Sequence, residues 1–320
     1  MLLRMLPWRA REAIKSRKTK RYLGQALDAL PPLEVATRDL RAEVHMMLGK
    51  NHLYRGLAAL RTFFHHSGLS DRVGVMFHSD GTIRPRHRRL LEKHIHGAEF
   101  TRYPSKDPRV AEVFKNRPYC ADYYRRGLSC QPKLVHIPVF ARVDRVIQLD
   151  SDVAFWGRPD AIIDCVNGPE ARPMYQIDHN KKNPDPGADV RQHFDELRHS
   201  LDSLRERSFE IKSYYFCSGI MLLPVRRFSF DIVEDYFRWH ATECPAHTKR
   251  ELHWFWDWTV EQTAYMLNFA TWPDAIPLDA KYPTGDVPGG VCNHFLGMNY
   301  SKDSSLHRIR QTLRDIASKR

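Results

Sequence analysis

Asp150-Ser151-Asp152 follows directly on the apolar run 145–149 (RVIQL) and precedes Val153-Ala154-Phe155. Two carboxylates one residue apart at the carboxyl end of a buried strand can both aim at one hard cation, and oxygen ligands suit Mg²⁺ and Mn²⁺. The pair alone says little, because many turns hold two aspartates; its position after a strand makes it informative. Cysteine gives no comparable signal. Cys120, Cys130, Cys165, Cys217, Cys244 and Cys292 are scattered without a CxxC pair. They read as free buried thiols in a reducing compartment. A zinc site drawn through His240, Cys244, His247 and His253 has irregular spacing and is the weaker reading.

The elements that must carry these carboxylates follow from periodicity. After a basic N-terminal arm (1–40), residues 43–48 (EVHMML) read as a first strand and 52–64 as a helix with Leu53, Leu57, Leu60 and Phe63 on one face. Residues 72–77 (RVGVMF) form a second strand that closes in the turn His78-Ser79-Asp80-Gly81. A strongly basic helix spans 84–94, a short third strand 99–103, and the apolar run 134–140 leads into RVIQL. Beyond residue 177 comes a charged stretch, 180–210, expected to be an insertion or lid with a short helix near 194–204. A buried strand at 214–224 (YYFCSGIMLLP) and helices near 231–243 and 257–269 complete the series. Strands alternating with helices predict an α/β domain with a mostly parallel sheet, whose ligands bind at the carboxyl ends of the strands.

The formal charge of +12 sits largely at the two ends. Residues 4–21 carry eight Lys and Arg side chains against Glu12 alone. Residues 304–320 space Leu306, Ile309, Leu313 and Ile316 along one helical face, with Arg308, Arg310, Arg314 and Lys319 elsewhere. Such a helix lies on an anionic membrane surface or packs its stripe on the domain; the two are compatible. The start of the chain has neither a membrane span nor a secretory leader pattern, so the expected compartment is the cytoplasm, with peripheral attachment to the inner face of a membrane through the basic ends. A protein that merely bound nucleic acid or membrane would have no need of the paired aspartates, and nucleic acid is not an expected partner.

Two enzyme classes use an acid pair after a strand. A phosphatase of the haloacid dehalogenase type takes the first Asp as nucleophile and the second as general acid in DxDx[TV]; here Ala154 holds the fifth position, and nearly half the chain precedes the motif. A nucleotide-sugar transferase uses the carboxylates to hold a metal on a diphosphate. Residues 134–140 (LVHIPVF) through 146–153 (VIQLDSDV) resemble the retaining glycosyltransferases of family 8. Three further landmarks follow in that family's order: 216–223 (FCSGIMLL), with Cys217 where Asn is common; Glu261-Gln262, with Glu for Asp; and 291–297 (VCNHFLG). The resemblance spans roughly residues 43–300.

The resemblance implies a GT-A fold: a single Rossmann-like α/β domain (41–300) with a mixed, mostly parallel central sheet flanked by helices, followed by a basic amphipathic helix (301–320). It implies Asp150, Asp152 and His294 as ligands of Mn²⁺ or Mg²⁺, the imidazole tilting the choice to Mn²⁺. Gln262 is expected on the reacting face of the donor sugar, with Glu261 orienting sugar hydroxyls. Gly219 is expected to let the sugar approach the sheet, and Gly297 to let backbone approach the phosphates. Gly49, Asp80, Ser151, Ser218 and Lys302 complete the expected donor site. Tyr300 stands where the family often has a phosphate-binding lysine. The implied donor is a nucleotide diphosphate sugar, a UDP-sugar by analogy, and the implied acceptor a saccharide or lipid-linked glycan. The departures at Cys217, Glu261 and Tyr300 also admit an inactive relative.

Overall fold

A strand buried on both faces reads as an apolar run, and the central strands here follow that pattern except where a buried polar side chain such as Glu43, His45 or Gln148 finds a partner. The computed structural model describes residues 8–126, 131–178, 188–244, 260–295, 300 and 302–318. Its strands in chain order are β1 (Leu33–Glu34), β2 (Ala42–Leu48), β3 (Val73–Ser79), β4 (Ile95–His96), β5 (Glu99–Thr101), β6 (Arg145–Leu149), β7 (Val153–Phe155), β8 (Met174–Ile177), β9 (Phe216–Pro224), β10 (Ile276–Pro277) and β11 (Cys292–His294). Its helices are α1 (Trp8–Asp28), α2 (Leu53–Ser67), α3 (Pro85–His94), α4 (Pro108–Phe114), α5 (Pro118–Arg125), α6 (Gln131–Phe140), α7 (Asp160–Asn167), α8 (Ala188–Ser200), α9 (Phe230–Thr242), α10 (Val260–Ala270) and α11 (Asp303–Ser318).

Seven strands form one sheet in the order β10-β8-β9-β6-β2-β3-β5. Of its pairings only β9 with β6 and β9 with β8 are antiparallel. Residues alternate between two cores. Val44, Met46, Ile147, Leu149, Ile220 and Leu222 face one core, covered by α1, α2, α7 and α11. Val146, Met221 and Leu223 face the other, covered by α6, α8, α9 and α10. The expected α/β architecture, a mixed and mostly parallel sheet flanked by helices, is the one the chain adopts. A separate antiparallel pair, β7 with β11, sets His294 opposite Val153 and so beside Asp152.

Three stretches differ from their reading in the sequence. The basic N-terminal residues are not an arm from residue 8 onward but a 21-residue helix, α1, whose Leu23, Ala26 and Leu27 are buried. They pack in the same core as Leu306, Ile309, Leu313 and Ile316 of α11, so the apolar stripe of α11 is covered by the domain. Within the charged 180–210 stretch, Phe194, Leu197, Leu201 and Leu204 are fully buried; residues 188–204 therefore have a core face that spacing through a highly charged segment concealed. The apolar run 134–140 belongs to α6, which tolerates Pro138 within its last turn. Among the described residues no helix is long and apolar enough to cross a membrane. The cysteines among them are free and buried.

Candidate metal centre and active site

Strand ends bring the chemistry together. β6 ends at Leu149 and the backbone N–H of Asp150 donates to Gly219 O at 2.8 Å, which ties the acid to the start of β9. Two residues on, Asp152 O accepts from Phe295 N–H at 2.9 Å, which ties the second acid to the strand that carries His294. The result is a cluster in which one ligand atom each from Asp150, Asp152 and His294 lies within 4.8 Å of the others. Among the described residues it is the one cluster of three such groups able to hold a metal. His294 Nε2 stands 3.3 Å from Asp152 Oδ1 and 3.6 Å from Asp150 Oδ2.

The orientation of the imidazole follows from its other nitrogen. The Gln176 amide donates from Nε2 to Tyr282 O at 2.9 Å and to Pro283 O at 3.2 Å, so its Oε1 must be the atom that faces His294 Nδ1 at 3.1 Å. An amide oxygen only accepts, so Nδ1 carries the proton. In the neutral ring, Nε2 then presents its lone pair to two carboxylates. Three lone pairs converging without a hydrogen between them repel, and a cation relieves that repulsion. A proton can also do so. Burial alone lowers the pKa of His294, but Cys217, 3.3 Å from Nδ1, and Asp152 outweigh it and hold the ring well above the ordinary histidine value. Hard carboxylate oxygens with one imidazole fit Mn²⁺ better than Mg²⁺.

The other edge of Asp150 is occupied. Its Oδ1 accepts from Lys133 Nζ at 3.0 Å and from Gln148 Nε2 at 2.9 Å, which leaves Oδ2 on the His294 side. Lys133 is 3 % exposed, and its ammonium also donates to Ser218 O and Oγ at 3.2 and 3.0 Å and lies 3.1 Å from Glu261 Oε1. Glu261 is buried, and burial followed by the Asp150 charge raises its pKa, while Lys133 opposes the shift. Its carboxylate lies against Lys133 and Ser218 rather than open to a sugar. Gln262, half-buried, accepts the Ser218 N–H at Oε1, 2.9 Å away.

Gly219 has a different reason from the one expected. A Cβ at this position would fall 2.1 Å from His294 Nδ1 and 2.9 Å from Gln176 Oε1, so the missing side chain makes room for the imidazole rather than for a sugar. Gly49 is similar: a Cβ there would meet Asp80 Oδ2 at 2.1 Å. Asp80 Oδ1 accepts from Thr82 N–H at 2.8 Å and Thr82 Oγ1–H at 2.6 Å, closing the turn after β3. Gly49 and Asp80 therefore form their own cluster at the carboxyl ends of β2 and β3, with β2 paired to β6. Ser151 sits in the turn between the two acids, and Lys302 is exposed just before α11. Gly297 lies outside the described residues, as do His247 and His253 of the zinc alternative.

Lys133, Gln148 and Gln176 carry the support of the centre, and the sequence did not single them out. The signal for Lys133 was a lysine directly before an apolar run. The two glutamines interrupt otherwise apolar strands, which in a strand buried on both faces marks a required partner.

No family model matches the chain, and no curated protein matches it. Solved structures are similar to it. Mouse xyloside xylosyltransferase 1 in its apo form is 14% identical over 81% of this chain and 98% of its own, with a TM-score of 0.47. The galactosyltransferase LgtC, solved with donor and acceptor sugar analogues, is 11% identical over 87% of this chain and 95% of its own, with a TM-score of 0.48. Core-mannan synthase A from Aspergillus fumigatus, in a Mn/GDP form, is 12% identical over 78% of this chain and 75% of its own, with a TM-score of 0.41.

Proposed function

We propose that the chain is a metal-dependent glycosyltransferase of the GT-A, family-8-like kind, moving a sugar from a nucleotide diphosphate, a UDP-sugar, to a saccharide or lipid-linked glycan with retention of configuration. The observation that carries the reading is the convergence of His294 Nε2 on Asp150 and Asp152, with Nδ1 held by the Gln176 amide. The phosphatase alternative asks nothing of a histidine in that position. Asp150 Oδ2, Asp152 Oδ1 and His294 Nε2 would hold Mn²⁺ or Mg²⁺. The bound cation offsets the charge that develops on a diphosphate leaving group.

The chain's own residues do the rest. Lys133 and Gln148 fix one edge of Asp150, so its free oxygen does not rotate out of the centre. Glu261 acts through Lys133 as a positioning residue, and Gln262, anchored by Ser218 at the same edge, is the group we assign to the reacting face of the sugar. Ser151, Gly49 and Asp80 at the adjoining strand ends are assigned to the donor, with Lys302 and Gly297 on the late segment. The basic residues of α1 suit an anionic membrane-associated acceptor at the cytoplasmic face; with the stripe of α11 covered, such attachment is electrostatic.

Replacing Asp152 by Asn keeps size and removes one charged ligand. Expected is a fall of about 10³-fold or more in Mn²⁺-dependent nucleotide-sugar turnover, the scale of several kcal/mol of lost charge stabilisation, with an unchanged circular dichroism spectrum. Full turnover by this variant, or by the wild type after chelation of divalent metal, sinks the metal role.

A further inference from the structure

One buried charge takes no part in the cluster around Asp150. Arg55 lies in the first turn of α2, just beyond the segment that leaves β2, and is 2 % exposed. Its Nε and Nη2 are fully buried without a hydrogen-bond partner, and among the described residues no carboxylate pairs with it. Its company is the ring of Tyr300, whose centroid is 5.2 Å from the guanidinium carbon. Tyr300 is itself fully buried with an unpartnered hydroxyl. The ring meets Phe295 edge-on at 5.3 Å, and the Phe295 N–H is bonded to Asp152 O. Burial raises the pKa of the phenol; Arg55 opposes the shift and Asp152 adds to it, so the guanidinium and the metal-site acid both act on this ring.

A guanidinium kept from water with Nε and Nη2 unsatisfied is a costly arrangement in a protein interior, and a cation–π contact returns only part of that cost. No described carboxylate relieves it: Asp150 is held by Lys133, Gln148 and His294, and Asp152 is directed at His294. An anion brought to that centre would. The planar fork of arginine matches phosphate oxygens with two parallel N–H donors. The N-cap of α2 makes no side-chain cap, so the positive end of the helix adds to the same field.

We propose that Arg55 is the diphosphate clamp of the donor site. In the free protein it is stacked on Tyr300; with donor bound, a rotation of its long side chain directs Nε and Nη2 to the phosphate oxygens at the Asp150–Asp152–His294 centre. The inference rests on the transferase reading above and adds to it the residue that neutralises the phosphates from the α2 side.

The test uses the full chain, calorimetric titration and thermal melting, with Mn²⁺ alone, inorganic pyrophosphate and UDP as probes. Arg55→Met is expected to bind Mn²⁺ as the wild type does, to bind pyrophosphate and UDP in the presence of Mn²⁺ about 10- to 100-fold more weakly, and, without ligand, to melt no lower than the wild type, because an unpaired buried charge has been removed. Arg55→Lys, which keeps the charge but not the fork, is expected to fall between the two. Unchanged pyrophosphate affinity in both variants overturns the clamp and leaves the transferase reading standing. A loss confined to UDP moves Arg55 to the nucleoside and also overturns the clamp. A ligand-free melting temperature well below wild type with unaltered affinity makes Arg55 structural. A wild type that binds neither probe with Mn²⁺ removes the transferase reading and the clamp together.

Discussion

His294 at the end of β11 and His136 on α6 are both buried histidines, and they keep opposite company. Around His136 runs a chain of neutral groups. The Tyr124 hydroxyl, already accepting from Ser105 N–H, donates to His136 Nε2 at 2.7 Å. His136 Nδ1–H then donates to Thr101 Oγ1 at 3.2 Å, Thr101 donates to His78 Nδ1 at 2.8 Å, and His78 Nε2–H donates to His45 Nδ1 at 2.9 Å. His45 Nε2 ends the chain 3.7 Å from Glu43 Oε2, itself gripped by Arg142. One set of tautomers satisfies this relay with every ring neutral. Burial lowers the pKa of His136 to about 4 and that of His78 well below the ordinary value. At His294 the same desolvation is overruled by Cys217 and Asp152. Burial alone thus does not decide what a histidine holds; the partners do. The relay is complete without an ion, whereas at the centre a proton or a metal ion must stand between His294 Nε2 and the two carboxylates.

The most severe way to break the contrast is Gly219→Ala. The added methyl would overlap His294 Nδ1 and crowd Gln176 Oε1, both held in place by their own bonds, so the ring must leave its position. Expected is loss of measurable Mn²⁺ binding, at least about 100-fold, and a stability cost of about 1–3 kcal/mol from overpacking. Calorimetry on the variant checks this. Wild-type Mn²⁺ affinity in Gly219→Ala would show that the imidazole is not locked where the metal needs it.

Next in size is the acid limb of stability. His136 takes its proton near pH 6.5 when unfolded and near 4 when folded, so the unfolded state binds more protons between those values. Its contribution is fully present above about pH 6.5 and is lost as the pH falls towards 4, for a total of about 3 kcal/mol at ~1.4 kcal/mol per unit. Glu43, whose pKa is lowered to about 2 because His45 and Arg142 outweigh its burial, acts only in the lower window below about 4.5. Urea unfolding from pH 6.5 to 4.5 is expected to show a steep wild-type slope and a flatter one for His136→Phe, despite the variant's lower stability at neutral pH. Parallel curves would mean that the relay is not held neutral by the fold.

How much of this was legible in the sequence depended on distance along the chain. Asp150 and Asp152 were readable because strand and acids are contiguous, and the late histidine because it sits in an ordered series of motifs. The sheet followed from alternating periods. Gln176, Lys133 and Arg55 were not readable, since each reaches the centre through register or packing that joins remote segments. Gly219 was readable only as a close approach: a glycine reports that something comes near, and only the fold brings His294 to it. The apolar stripe of α1 was hidden because Leu23, Ala26 and Leu27 lie at the far end of a helix whose charges dominate its composition. Tyr300 read as a lost positive charge, yet the ring covers an arginine from a segment far earlier in the chain.

The finest distinction between the two histidine assemblies is the tautomer, and Gln176→Leu tests it with little change in volume. Leucine cannot accept from Nδ1, so nothing fixes the proton there except the weak acceptor Cys217, and the ring becomes free to carry hydrogen on Nε2, where it faces Asp152. Hydrogen-bonded that way, the neutral imidazole satisfies the carboxylates with its own proton and must move it to Nδ1 before it can ligate, whereas the wild-type ring, held well above the ordinary histidine value, gives a proton up. Second-layer partners of metal-bound histidines are worth about 10- to 100-fold in affinity, so Mn²⁺ binding is expected to weaken by that factor, with proton release on binding smaller than in the wild type. The carbonyls of Tyr282 and Pro283, which lose their amide donor, lower the melting temperature as well, but they have no reason to alter proton release. Calorimetry in two buffers of different ionisation enthalpy separates the two effects. A variant that is merely less stable, with wild-type affinity and proton release, would show that the orientation of His294 is set by the strand alone.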